Sequence, residues 1–121
     1  MDNDKEQSLQ HPIWPAVIQY SGDAELLYIN SLAQWNNDAS LHSFNYDDAD
    51  CLIDSAGNTF SLTRKVNNLA QPELLNNPKP LKEILGLVKG HASQLGSCCV
   101  SKLYAPSIRE AFKIVQSLTE T

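Results

Sequence analysis

Residues 51–62 constrain the fold of this chain more than any other stretch. Cys51-Leu52-Ile53-Asp54 and Thr59-Phe60-Ser61-Leu62 are short apolar runs flanking Ser55-Ala56-Gly57-Asn58, a polar turn that contains a glycine. Two such runs joined by so short a turn read as a β-hairpin. A hairpin must bury a face against another layer, so the rest of the chain has to supply that layer.

The chain has 121 residues, which fits one domain and leaves no room for a second core of normal size. An apolar fraction of 42% with 19% charged residues is that of a globular protein. The formal net charge is -5, and nine scattered Lys and Arg residues make no basic footprint for nucleic acid. The same balance disfavours anionic membranes. Residues 1–10 hold Asp2, Asp4 and Glu6 and no apolar core, unlike a secretory signal. Three cysteines, Cys51, Cys98 and Cys99, are an odd count in a chain without such a signal. Reduced thiols and a cytoplasmic location are therefore expected.

Residues 1–11 read as a flexible tail and 12–121 as a single domain. Ile13–Tyr20 is rich in β-branched and aromatic residues, and Pro15 cannot donate to a ladder. A first strand therefore begins near Pro15 or lies at a sheet edge. After the Ser21-Gly22-Asp23 turn, Glu25–Asn30 reads as a second strand. Leu32, Trp35 and Leu41 line one side of a short helical region with Ser31 as its N-cap. Residues 67–80 read as a loop holding three prolines, pinned to the core by Leu69, Leu74 and Leu75, with a short helical turn at Pro72–Asn76.

Leu81, Ile84, Leu85, Val88, Ala92 and Leu95 recur at the spacing of one helical face. Pro80 suits the start of that helix and Gly96 a left-handed cap at its end. Gly86 and Gly90 soften it, or admit a neighbouring backbone. Ser97–Tyr104 has the length of a strand. Ser107 and Glu110 form a capping box for a last helix, whose stripe is Ile108, Ala111, Phe112, Val115 and Leu118.

The expectation is an α+β domain: a mainly antiparallel sheet of about five strands with two C-terminal helices packed on one face, in the order β-β-(α)-β-β-α-β-α. A right-handed crossover from the hairpin through helix 80–95 into 97–104 would make that one pair parallel.

No constellation assembles a catalytic set. Adjacent Cys98 and Cys99 would point to opposite faces of a strand and are not the C-x-x-C of a redox pair. Burial as small apolar residues outweighs reactivity for them. His91 could meet a thiol as a general base, yet its place in a last helical turn favours a charge complementing the helix dipole. Cys51, Cys98, Cys99 and His91 lack the spacing of a zinc site. Asp47, Asp48, Asp50 and Asp54 do not fit a calcium loop, and Asp54 is expected to stabilise the hairpin turn. Trp14 and Trp35 are candidate partner anchors, Trp35 the more exposed of the two, although core packing is the stronger reading for both.

Three strings, Trp14-Pro15-Ala16-Val17-Ile18, Leu52-Ile53-Asp54-Ser55-Ala56-Gly57 and His91-Ala92-Ser93-Gln94-Leu95-Gly96-Ser97-Cys98-Cys99-Val100, together resemble an uncharacterised family of short gamma-proteobacterial proteins, a domain of unknown function. The resemblance spans most of residues 12–118 and implies a bacterial, stand-alone domain. The family has no assigned activity and hands over no functional residue.

The leading functional expectation is a cytoplasmic, non-enzymatic domain that binds a protein partner. Its rivals are a thiol-dependent enzyme or redox sensor built on Cys98 or Cys99 with His91, and a small-ligand domain. No catalytic, cofactor-binding or metal residue is assigned, and neither a cofactor, nor nucleic acid, nor a membrane is expected as a partner.

Overall fold

The hairpin forms where the sequence places it. In the computed structural model, which describes residues 11–97 and 99–119, strand β3 (Cys51–Asp54) pairs antiparallel with β4 (Thr59–Ser61). The turn between them is held by the fully buried Asp54. Its Oδ1 accepts the amides of Ala56 (3.0 Å) and Asn58 (2.9 Å). Its Oδ2 accepts the Ile13 amide at 3.0 Å, tying the incoming chain to the turn, a role the local pattern does not reveal. Gly57 takes φ 85°, and a Cβ there would collide with the Lys79 carbonyl.

β1 (Ala16–Gln19) begins just after Pro15 and lies inside the sheet, between β3 and β2 (Leu26–Ile29). The five strands run in the order β2-β1-β3-β4-β7, every neighbour antiparallel, with β7 at Glu73–Leu75. The register sets side chains in rows across the sheet. Leu27, Ile18, Leu52, Phe60 and Leu74 form one row, and Tyr28, Val17, Ile53, Thr59 and Leu75 the next. Side chains alternate in face along a strand, so neighbouring rows face opposite layers.

Two cores result. Ala16, Ile18, Ile29, Leu52, Phe60 and Leu62 pack with Trp35 of α1 (Leu32–Asn37) and Leu41 of α2 (Ala39–Ser43). A small hairpin, β5 (Lys65–Val66) with β6 (Leu69–Ala70), adds Ala70 to that layer. On the other face, Val17, Leu26 and Ile53 pack against α3 (Leu81–Gln94) and α4 (Ile108–Thr119) through Ile84, Val88, Ala111, Phe112 and Val115. Each such aliphatic or aromatic side chain contributes about 1.5–3 kcal/mol of burial free energy. The α+β class, the five-stranded antiparallel sheet and the two C-terminal helices on one face are as expected.

Several local expectations are corrected. No strand forms among the described residues of the expected Ser97–Tyr104 run: Val100–Lys102 is a 3-10 turn entered through Cys99 at φ 59°. Left-handed backbone at Gly96 and Cys99 breaks the extended run, and no parallel pair forms among the described residues. The fifth strand is β7, inside the span read as a loop with a helical turn at Pro72–Asn76. Leu69, Leu74 and Leu75 do not pin that span to the core; they are exposed, as are Leu32 and Leu95. A Cβ at Gly86 or Gly90 would meet open space, so no neighbouring backbone explains them.

The capping signals hold in part. The Ser31 hydroxyl accepts the Gln34 amide at 3.1 Å. Ser107 Oγ accepts the Glu110 amide at 3.2 Å, while the Glu110 carboxylate lies 3.5 Å from Lys113 Nζ instead of reaching back. Of the expected tail only His11 is described, and it is exposed.

Candidate interaction surface

His91 is buried and neutral, which corrects its expected role as a charge at a helix end. Its Nδ1 accepts the Leu26 amide at 2.9 Å, so the ring proton sits on Nε2, 3.3 Å from Thr119 Oγ1. The Thr119 hydroxyl in turn donates to the Val115 carbonyl at 2.8 Å. Burial holds the imidazole below its usual range, although Glu25 and Asp23 pull the other way.

With both nitrogens engaged, His91 offers no lone pair to a thiol. The thiol-enzyme reading loses its base on that ground. Cys99 is exposed and Cys98 lies outside the described residues. Cys51 is half-buried, and burial pushes its thiol up, away from the thiolate a nucleophile needs.

Trp35 is core, not surface. It stacks on the half-buried Trp14 with ring centroids 6.3 Å apart and meets the edge of His42 at 4.9 Å. His42 is a second buried staple. Its Nδ1 accepts the Ala70 amide at 3.1 Å, and its Nε2 donates to the Trp35 carbonyl at 2.8 Å. No local pattern announces it, because Ala70 is 28 residues away.

The acidic connector is likewise structural. Asp50 is buried, accepting the Ser21 amide at 2.7 Å and the Asp47 amide at 2.8 Å. Among the described residues no cluster of His, Cys, Asp or Glu is arranged to hold a metal ion.

The two sheet edges differ. On β2, the Leu26 amide is taken by His91 and the following Asn30 amide by Gln34 Oε1 at 2.7 Å. Side chains from α3 and α1 thus occupy backbone donors that a foreign strand would need. On β7, among the described residues, no segment pairs with the outer side, and Glu73, Leu74 and Leu75 are all exposed. The two apolar rows of the sheet run out into solvent at Leu74 and Leu75.

Two adjoining clefts lie beside the β1–β2 turn. One of about 460 Å³ is framed by Tyr20, Asp23, Glu25, Leu27, Leu95 and Leu118 above His91. The other, about 500 Å³, shares Tyr20 and Asp23 and reaches Cys51, Thr59 and Lys79. Lys79 Nζ is held by Glu83 at 2.7 Å.

A five-stranded antiparallel α+β domain is the class these observations define. Residues 14–115 match the DUF4144 family, described as a protein structure with unknown function, and the chain belongs to that family. It is similar to a protein from Shewanella amazonensis whose structure was solved by NMR. The two share 27% identity over 89% of this chain and 90% of that one, with a TM-score of 0.66. No curated protein matches. No helix among the described residues is long and apolar enough to cross a membrane.

Proposed function

We propose that this domain works in the cytoplasm as an interaction module, taking an extended segment of a partner protein as a sixth strand along β7. The observation that carries this reading is the contrast between the edges: side chains take the Leu26 and Asn30 amides along β2, while no described segment pairs with the outer side of β7. An added strand gains main-chain hydrogen bonds, and its alternate side chains extend the rows that stop at Leu74 and Leu75. Pro72 and Pro78 bracket the edge and keep the pairing to a few residues. Binding is therefore weak and reversible, in the manner of small transient interfaces.

A photo-cross-linking benzoylphenylalanine at Asn76, introduced in the native cells, tests this. It should yield an adduct of one defined mass that Leu74→Lys removes, while the same group at Lys113 yields none. Leu74 is 42% exposed, so the lysine leaves the circular dichroism spectrum unchanged. No adduct at Asn76, or an adduct indifferent to Leu74→Lys, overturns the reading; an adduct at twice the mass of the chain replaces the foreign partner with a second copy.

A further inference from the structure

The 460 Å³ cleft lies across the sheet from β7, beside the β2 edge, and the strand-addition reading makes no use of it. Its floor is apolar: Leu26 from β2, Leu95 from the end of α3 and Leu118 from α4. Its rim carries two carboxylates, Asp23 and Glu25, and no Lys or Arg stands among its lining residues.

The backbone adds to that asymmetry. The C-terminal turns of α3 and α4 both border the cleft, at His91–Leu95 and Leu118–Thr119. Each helix end carries a partial negative charge of roughly half a unit. A last-turn Lys or Arg commonly offsets such a charge, but α4 has no basic residue there and α3 has only His91. That imidazole is neutral, with its Nδ1 spent on the Leu26 amide. Lys79, the cation of the neighbouring cleft, is held by Glu83. Two carboxylates and two helix ends therefore act on one apolar hollow, and among the described residues no Lys or Arg lines it.

We infer that this cleft binds a small organic amine, an alkyl chain ending in an ammonium group. The chain lies on Leu95 and Leu118, and the ammonium sits between Asp23 and Glu25, in the field of the two helix ends. A low-dielectric floor strengthens each of those attractions relative to water. A neutral alcohol of the same length gains only the apolar contact, and a carboxylate is repelled.

The test is a titration of the isotopically labelled full chain with n-hexylammonium chloride, followed by amide chemical shifts. Saturable shifts should appear at Leu26, Leu27, Leu95 and Thr119, half-complete at about millimolar concentration, as befits so small a ligand. Hexan-1-ol should bind about tenfold more weakly. Asp23→Asn with Glu25→Gln should cost the amine about tenfold and leave the alcohol unchanged, the asparagine still accepting the Glu25 amide that Asp23 Oδ1 now holds at 2.9 Å. Leu95→Lys, which adds an ammonium at the end of α3, should remove amine binding while the remaining amide spectrum keeps its dispersion. Equal affinity for alcohol and amine, shifts scattered away from the cleft, or indifference to the double substitution overturns the inference.

Discussion

The imidazole of His91 accepts the backbone amide of Leu26, so a side chain from a helix ends the hydrogen-bond ladder of an edge strand. This contact joins β2 to α3, and the Thr119 hydroxyl extends it to α4. Removing it leaves the Leu26 amide buried without an acceptor, which costs about 1–3 kcal/mol, with a further loss from the emptied space. His91→Ala should therefore lower stability by about 2–4 kcal/mol at pH 7.5, read from urea unfolding.

The same contact makes stability depend on pH in a defined direction. Burial lowers the His91 pKa in the folded protein, so the unfolded chain takes up the proton first as pH falls. The stabilising contribution is complete above the unfolded value of about 6.5 and is lost progressively as pH drops through it. Urea midpoints should fall between pH 7.5 and pH 5.5, and His91→Gln should flatten that slope. A wild-type midpoint that rises on acidification across this window would contradict the neutral, buried imidazole.

Glycines at three places in the chain respond in opposite ways to the same substitution. Gly57 combines a left-handed φ of 85° with the Lys79 carbonyl where a Cβ would stand. Gly57→Ala should cost about 2 kcal/mol or more. Gly86 and Gly90 are helical and face open space. Replacing either with alanine should stabilise α3 by about 0.5–1 kcal/mol, and because the two sites are neighbours one helical turn apart the double variant reads their coupling. Thermal unfolding of the three single variants and the Gly86/Gly90 double variant checks all four values.

Local patterns carried much of this fold. The 51–62 hairpin, the α3 and α4 stripes and the caps at Ser31 and Ser107 each rest on residues a few positions apart. What lay beyond reach depends on distant partners or on backbone sign. Ser97–Tyr104 has strand composition, but positive φ at Gly96 and Cys99 turns it away. β7 is three residues between prolines with exposed leucines, and only its register against β4 makes it a strand. His91 was visible as a candidate, yet its role depends on Leu26, 65 residues earlier. The contrast between the two edges has no signature in the sequence, because strand order is set by tertiary pairing.

Asp54 shows how far one buried carboxylate reaches. It accepts the amides of Ile13, Ala56 and Asn58, joining the β3–β4 turn to the segment that leads into β1. Asp54→Ala leaves those three donors without their acceptor and should cost about 3 kcal/mol or more. Asp54→Asn keeps one oxygen acceptor and should cost less. Hydrogen exchange locates the damage: in the alanine variant the Ile13 and Asn58 amides should lose protection before those of Ile53 and Phe60. Uniform loss across the sheet would mean that the carboxylate supports the whole fold and not this junction.

The thiols separate by access. Cys99 is exposed, whereas Cys51 is half-buried, with its thiol pushed above its ordinary pKa by burial. The Lys79 ammonium pulls the other way without offsetting that burial. Because alkylation needs the thiolate, Cys51 should react slowly until the protein unfolds. In a Cys98→Ser background at pH 7.5, iodoacetamide should add one carbamidomethyl group quickly, at Cys99. The second, at Cys51, should follow only with urea, as intact mass and peptide mapping would read. Rapid double labelling of the folded chain would mean that the Cys51 thiol is open at the cleft it lines with Thr59 and Lys79, and would return a reactive thiol to consideration there.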